Sequence, residues 1–181
     1  VIAEFKGRYR FLSNFYPCPV TVGLIAYPSA EHAFQAGKAS RPAEAQAIAR
    51  LATAAEAKSA GRRLALPPDW DKVRKQRMIK VVLAKFAQNA DLGDLLGRTG
   101  LEVLVEGAAW HDSFWGVCRN PGPHPPGCAG TGQGANYLGQ ILMSVRMVLR
   151  PDLPRPWGGH DARLRRYEGG GTRIHQAESG H

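Results

Sequence analysis

Glu31-His32-Ala33-Phe34-Gln35-Ala36-Gly37-Lys38 is the stretch on which the reading of this chain turns. Ser29 stands where a helix N-cap belongs, and the run after it is predicted to be helical over residues 30–39, until Arg41-Pro42 breaks it. Successive helical residues rotate by about 100°, so Gln35 and Lys38 fall within roughly 40° of Glu31 on one face, while Ala33 and Phe34 sit off it. An acid, an amide and an amine make a poor core stripe. The plain account of such a face is solvation, with weak pairing along it. The functional account is a set of groups suited to breaking a bond at a sugar carbon, and the rest of the chain favours it.

Working outward, Val20-Thr21-Val22 and Leu24-Ile25-Ala26-Tyr27 flank Gly23 and read as a β-hairpin. Residues 43–51 and 54–64 are Ala-rich and expected to be helical, with Thr53 capping the second. From Trp70 to Asn89 the apolar residues Val73, Met78, Val81, Val82, Leu83, Ala84 and Phe86 suit an amphipathic helix with a basic outer face. Asp91–Leu96 is expected to form a short helix, Leu101–Glu106 a strand, and Trp110–Arg119 a strand or turn. Residues 119–135 hold too much Pro and Gly for regular structure, and helical spacing returns from Asn136 to Leu149. Residues 151–181 have few large apolar side chains. The expected architecture is α+β: one mostly helical domain over residues 1–150 with a few short strands, then a disordered C-terminal tail over 151–181.

The length of 181 residues suits one domain with an appendage and allows a hydrophobic core that needs no disulfide or metal. The three cysteines, Cys18, Cys118 and Cys128, cannot all pair with one another. The opening Val1-Ile2-Ala3-Glu4-Phe5-Lys6 is no signal peptide, and no apolar run approaches the about 18 residues of a membrane helix. The expectation is a cytoplasmic protein with free thiols and no membrane partner. The net charge is +9, and the first 150 residues hold 19 Lys and Arg against 11 Asp and Glu. Six cations cluster at Lys72, Arg74, Lys75, Arg77, Lys80 and Lys85. They read either as a solvated helix face or as an attractive field for the phosphates of a nucleotide or nucleic acid.

Two further stretches carry chemistry. In Trp110-His111-Asp112-Ser113-Phe114-Trp115-Gly116, an aspartate between tryptophans suits a general base, a ribose ligand or an orienter of lysine, and Trp115 suits stacking on a ring. The alternative is a core tryptophan beside a turn aspartate. Gly130-Thr131-Gly132-Gln133-Gly134-Ala135-Asn136 runs into a helix, where backbone N–H groups can cradle phosphate, or else it is a flexible connector. Neither a Walker pattern nor a dinucleotide fingerprint is present. Cys118, His124 and Cys128 are near one another, but their spacing fits no familiar zinc pattern, so no metal is expected. His32 and His111, near the candidate site, read as structural. No Gly-x-Ser-x-Gly elbow supports a serine triad.

These pieces fall in a recognisable order: Arg10-Phe11-Leu12-Ser13-Asn14-Phe15-Tyr16-Pro17, then Tyr27-Pro28-Ser29-Ala30 and the Glu31–Lys38 stretch, Asp69-Trp70-Asp71, Met78, Ala84-Lys85-Phe86, Asp112 with Trp115-Gly116, and Asn136-Tyr137-Leu138-Gly139 with Leu142-Met143 and Arg146. The sequence resembles the NADAR family, YbiA-like proteins included, over about residues 5–150. The resemblance implies an N-glycosidase that cleaves a ribosyl C1–N bond and needs no cofactor. Two substrates go with such proteins: ADP-ribose on guanine bases in DNA, whose removal reverses a toxin's modification, and early riboflavin-pathway intermediates. The first is the leading expectation, an antitoxin-like enzyme paired with an ADP-ribosyltransferase toxin. A non-catalytic ADP-ribose or nucleotide-binding module is the alternative of another class. Carried over residue by residue, Glu31, Lys38 and Asp112 are the catalytic candidates. Asn14, Phe15, Gln35, Trp115, Gly116 and Asn136 would line the pocket. The long loop from Asn120 to Ala135 departs from the family pattern and bears on substrate size and access.

Overall fold

The computed structural model describes residues 1–152, and the tail expected over 151–181 lies, from residue 153 on, outside the described residues. A short 3-10 helix at Gly7–Leu12 precedes strands β1 (Pro17–Val22) and β2 (Ile25–Ser29). Helices α1 (Ala30–Ala36), α2 (Pro42–Ala49), α3 (Ala54–Arg62), α4 (Trp70–Gln88) and α5 (Ala90–Arg98) follow. Two-residue strands β3 (Gly107–Ala108) and β4 (Val117–Cys118) then lead to the last helix, α6 (Tyr137–Leu149). The chain is thus mostly helical with a few short strands, as expected.

The local signals act where they stand. Val20 faces Tyr27 and Val22 faces Ile25 in an antiparallel hairpin, and Gly23 takes the positive φ of 62° that the turn requires. The Ser29 hydroxyl caps α1 by accepting from the His32 N–H. Thr53 and Glu56 form a reciprocal capping box at α3, satisfying two otherwise free N–H groups. Pro42 occupies the first turn of α2, where its missing N–H costs nothing.

Helix α4 organises the core. It packs against β1, α1, α5 and α6. Met78, Val81, Val82 and Phe86 share its inner face and meet Leu138, Ile141, Leu142 and Val145 of α6. The same spacing corrects the sequence reading of Lys85. Seven residues on from Met78, it lies on the inner face, fully buried, rather than on the basic outer one. Its Nζ donates to the Ser13 carbonyl at 2.7 Å and lies 5.0 Å from the Phe86 ring centre. Burial pushes its pKa down to about 8.

The run Leu101–Glu106 is a second correction. It forms only an isolated parallel bridge, Ile2 with Leu104, through Ile2 N–H to Val103 O and Val105 N–H to Ile2 O, both 2.8 Å. The N-terminal segment it pairs with turns into the 3-10 helix at Gly7, so the ladder has nowhere to extend. Regular pairing comes just after, where β3 and β4 run parallel, Gly107 opposite Val117 and Ala108 opposite Cys118. That pairing folds residues 109–116 back as a loop beside α1.

Candidate active site

Helix α1 is buried along its whole length, enclosed by the hairpin, α2, α3 and α4. The polar face read from the sequence is therefore not solvated: Glu31 is 6 % exposed and Gln35 4 %. Gln35 Nε2 donates to Glu31 Oε1 at 2.8 Å, the pairing that i, i+4 spacing permits. The Glu31 N–H is bonded to the Asn14 carbonyl at 3.0 Å, which fixes where the helix starts against the 3-10 turn. Burial raises the Glu31 pKa, and the nearby Asp112 adds to this. The Gln35 hydrogen bond and the positive Lys58 and Lys38 oppose it.

The helix expected over residues 30–39 ends at Ala36, and Lys38 lies half-buried in the turn that follows. Its Nζ sits 5.7 Å from the Trp70 ring centre and 5.9 Å from that of Phe34. Desolvation lowers its pKa, with Arg62 and Lys58 adding to the effect and Glu31 opposing it. Phe34 and Trp115 meet edge to face, centres 5.4 Å apart, so one aromatic wall runs from Trp70 through Phe34 to Trp115. Asp112 Oδ1 accepts from the N–H groups of Phe114 (3.1 Å) and Trp115 (2.8 Å), which holds the turn carrying that tryptophan. Phe15 is part-exposed at the rim. The Lys58 ammonium lies 5.4 Å from its ring centre and 5.3 Å from that of Trp110.

Asn14, buried, donates to Met78 Sδ at 3.2 Å, and its Oδ1 has no hydrogen-bond partner. Gly116 is buried, with its carbonyl accepting from Asn136 N–H at 3.2 Å. Asn136 itself takes φ 51° and ties two segments together: Oδ1 accepts from Glu106 N–H (3.0 Å) and Nδ2 donates to Leu104 O (2.9 Å). Both ends of its amide are thus engaged by backbone. His32 is structural as expected, bridging Ser29 Oγ (2.7 Å) and Leu51 O (3.2 Å).

Two residues absent from the sequence reading belong to this cluster. Glu106 has its pKa raised to about 7 by burial first, then by Asp112 and Glu31, against the pull of Lys58 and Lys85. Its Oε2 is buried without a partner, as are Asn14 Oδ1 and Gln35 Oε1. Buried polar atoms are normally satisfied, so each of these unpartnered oxygens is a candidate contact for a polar ligand. Lys58, from α3, is the second. An acid closing an apolar run was the available signal for Glu106, and Lys58 gave none. Three carboxylates, Glu31, Glu106 and Asp112, thus gather with Lys38 and Lys58, and burial with mutual repulsion raises both glutamates, a pattern concentrated at reactive sites. Around them, Arg62 bears on Lys38, and Arg77 packs against Gly37.

The basic face of α4 is divided. Arg74 lies 3.7 Å above the Phe114 ring and pairs with Asp71 at 3.3 Å, while Lys75 lies 3.5 Å above Tyr137. Lys72, Arg77 and Lys80 face solvent. Two shallow hollows, one between Arg8, Tyr9, Leu95 and Arg98 and one between Tyr16, Cys18, Asn89 and Leu92, include neither Glu31 nor Lys38. Among the described residues, no helix is long and apolar enough to cross a membrane.

A family model described as the NADAR domain matches residues 3–150. The chain is 37 % identical over 147 residues to an N-glycosidase of Nostoc punctiforme, covering 78 % of this chain and 86 % of that protein. It is 34 % identical over 143 residues to the N-glycosidase YbiA of Escherichia coli, covering 78 % and 82 %. A riboflavin biosynthesis protein of Vibrio vulnificus is 36 % identical over 153 residues, covering 83 % of this chain but only 38 % of that longer protein. The solution structure of E. coli YbiA superposes with a TM-score of 0.69 at 31 % identity, covering 88 % of this chain and 89 % of that one. Matched over most of its length by model, sequence and fold, the chain belongs to the NADAR domain family.

Proposed function

We propose that this chain is an N-glycosidase that breaks the bond between a ribose C1 and a base nitrogen, and that its substrate is ADP-ribose carried on guanine in DNA. One observation carries the reading: a buried carboxylate, Glu31, and a half-buried amine, Lys38, are held in one cluster, with the acid pushed toward its protonated form and the lysine toward its neutral one. Cleavage leaves positive charge at C1, and a carboxylate nearby stabilises it. A neutral amine can instead attack C1. As the C1–N bond breaks, its electron pair stays with the base nitrogen, which takes a proton from Glu31 or Glu106. Loss of the amine's proton and opening of the ribose ring give an imine on Lys38, and water then returns the free sugar and the lysine. Asp112 orients the ribose hydroxyls or Lys38, and Trp115 or Phe15 stacks on a ring. The exposed cations Lys72, Arg77 and Lys80, with the net charge of +9, support a polyanionic substrate.

A second reading, a glycosidase of riboflavin-pathway intermediates, is favoured by the name of the V. vulnificus relative. An oligonucleotide bearing ADP-ribosyl-guanine separates the readings. Wild type is expected to release free ADP-ribose, with a fall of about 10²–10⁴-fold in Lys38→Ala and Glu31→Gln. Borohydride added during turnover is expected to fix a sugar adduct on Lys38. Wild-type turnover in both variants refutes the residue assignment. Release from riboflavin-pathway substrates but not from DNA selects the second reading, and binding of ADP-ribose without release from either selects a binding module.

A further inference from the structure

Spacing in the sequence gives no reason to group the cysteines and histidines of the Pro/Gly loop, but folding does. His111, Cys118, His124 and Cys128 each turn one donor atom inward, and the four atoms all lie within 4.8 Å of one another. His124 Nδ1 is 3.3 Å from Cys128 Sγ and 3.8 Å from Cys118 Sγ, and His111 Nδ1 is 3.7 Å from Cys118 Sγ. Around a tetrahedral zinc ion, with Zn–S near 2.3 Å and Zn–N near 2.0–2.1 Å, donor atoms are spaced by about 3.3–3.8 Å. We propose that these four side chains form a structural zinc site of the Cys2His2 type, whose ligands are none of the residues assigned to the reaction.

Two observations beyond proximity support this. The first is the tautomer of His124. Thr131 Oγ1 gives its hydrogen to the Asn120 carbonyl at 2.6 Å, so toward His124 Nε2, 3.0 Å away, it acts as acceptor. The Nε2 then carries the proton, and the Nδ1 lone pair faces the two sulfurs. A partner that fixes the tautomer from behind is a recurrent feature of metal-bound histidine. The second is backbone strain. His111 is held at φ 62°, which a non-glycine residue adopts at some cost and which aims its ring at Cys118.

The chemistry suits zinc. Two thiolates and two neutral imidazoles balance a divalent charge, and sulfur with imidazole nitrogen favours zinc over magnesium or calcium. Four protein ligands leave no open position, which makes the site structural rather than catalytic. The fold also has a use for it. Residues 119–135 form a 17-residue loop, longer than most, and none of them joins the apolar core. A metal tie would anchor that loop to β4 and to the turn holding Asp112 and Trp115, alongside the weaker bonds of Ser113 Oγ with Gly127 O and Ala129 N–H, both 3.3 Å.

The test uses the whole chain, purified with a thiol reductant and without added metal. Elemental analysis is expected to find close to one zinc per chain, released by a strong chelator and detected with a colorimetric dye. Refilling with Co²⁺ is expected to give the visible bands of tetrahedral cobalt and a thiolate charge-transfer band in the near ultraviolet. Cys128→Ser and His124→Gln should lose both signals while keeping helical circular dichroism, and Cys18→Ala should keep them. Any of three results overturns the proposal: reduced, folded wild type that takes up neither zinc nor cobalt; metal retained by both loop variants, which places it elsewhere; or a Cys118–Cys128 disulfide, seen as a mass lower by two hydrogens, with no cobalt uptake after reduction.

Discussion

Gly61→Ala inverts a familiar rule, and the site explains why. Gly61 lies in the last turn of α3, where alanine ordinarily stabilises a helix by about 0.4–1 kcal/mol. Here a Cβ would stand 2.8 Å from Gln35 Cδ and 2.9 Å from Gln35 Cβ, and closer still to Oε1. Gln35 is buried, and its Cβ as well as its amide end stands in the way, so the substitution overpacks the interface at about 1–3 kcal/mol. For a chain of this size each kcal/mol moves the melting temperature by about 2–4 °C, giving an expected fall of roughly 2–12 °C. Displacing Gln35 also breaks its bond to Glu31, which raises the pKa of that acid further, since the bond is what chiefly holds it down.

A double-mutant cycle isolates the cause. In a Gln35→Ala background the obstacle is gone, so Gly61→Ala should become neutral or stabilising, a coupling of at least about 1 kcal/mol. Thermal melts of the four proteins measure it. Gly97→Ala in α5, where the nearest atoms to an added Cβ all belong to the part-exposed Arg150 side chain, serves as contrast and should stay within about 1 kcal/mol of wild type. A Gly61→Ala protein that melts at or above wild type, or a cycle without coupling, refutes the claim that glycine here makes room for the glutamine that holds the buried acid.

Other perturbations read different parts of the molecule. Lys85 has its folded pKa lowered from 10.5 to about 8, so between those values the unfolded chain binds more protons and stability rises with pH. Melts from pH 8 to 10 should show that rise in wild type, bounded by about 3 kcal/mol, and its absence in Lys85→Met. Glu106 is shifted the other way, from 4.5 to about 7, so the folded state holds the extra proton and stability falls as pH climbs through that interval. Glu106→Gln should flatten this slope, and an unchanged slope assigns it to another group. If DNA is the substrate, replacing Lys72 and Lys80 with serine should weaken DNA binding and reduce the salt dependence by up to about two counterions, leaving the turnover of small nucleotides unaltered.

The sequence was most legible where structure is decided within a few residues. The Ser29 and Thr53 caps and the Gly23 turn are local, and each lies where it was read, whereas α1 ends at Ala36, short of Arg41-Pro42, which instead opens α2. Lys85 was misread because composition assigns a lysine to the surface, whereas the register from Met78 places it inside. Leu101–Glu106 was misread because apolar, β-branched residues promise a strand only where a partner edge continues. Within the site, the Glu31–Gln35 pairing followed from helical geometry, while Lys38 sits in the turn after the helix ends. Glu106 and Lys58 were invisible because they arrive on separate elements, one through the bridge with Ile2 and one from α3. Of the Cys–His cluster, Cys118, His124 and Cys128 were seen together but fitted no spacing pattern, and the missing member was His111, which the parallel pairing of Ala108 with Cys118 brings round to the loop.

The arrangement of charge across the site separates two tasks that oppose each other. Binding a phosphorylated ribose calls for cations, yet a lysine serves as a nucleophile only when neutral. Arg62 and Lys58 both depress the Lys38 pKa, while Glu31 raises it. Protonating Glu31 would therefore lower the Lys38 pKa further, because the opposing negative charge disappears. The same neighbours that attract an anion thus favour the free amine, provided that the acid stays protonated. A phosphate entering beside Arg62 would reverse part of this by screening that cation and raising the Lys38 pKa. The apparent acidic limb of turnover should consequently lie at higher pH with a phosphorylated substrate than with its dephosphorylated nucleoside counterpart. Profiles of kcat measured on the two substrates decide it. Coincident limbs, or a limb displaced to lower pH by the phosphate, would mean that the rim cations and the Lys38 amine are not electrostatically joined.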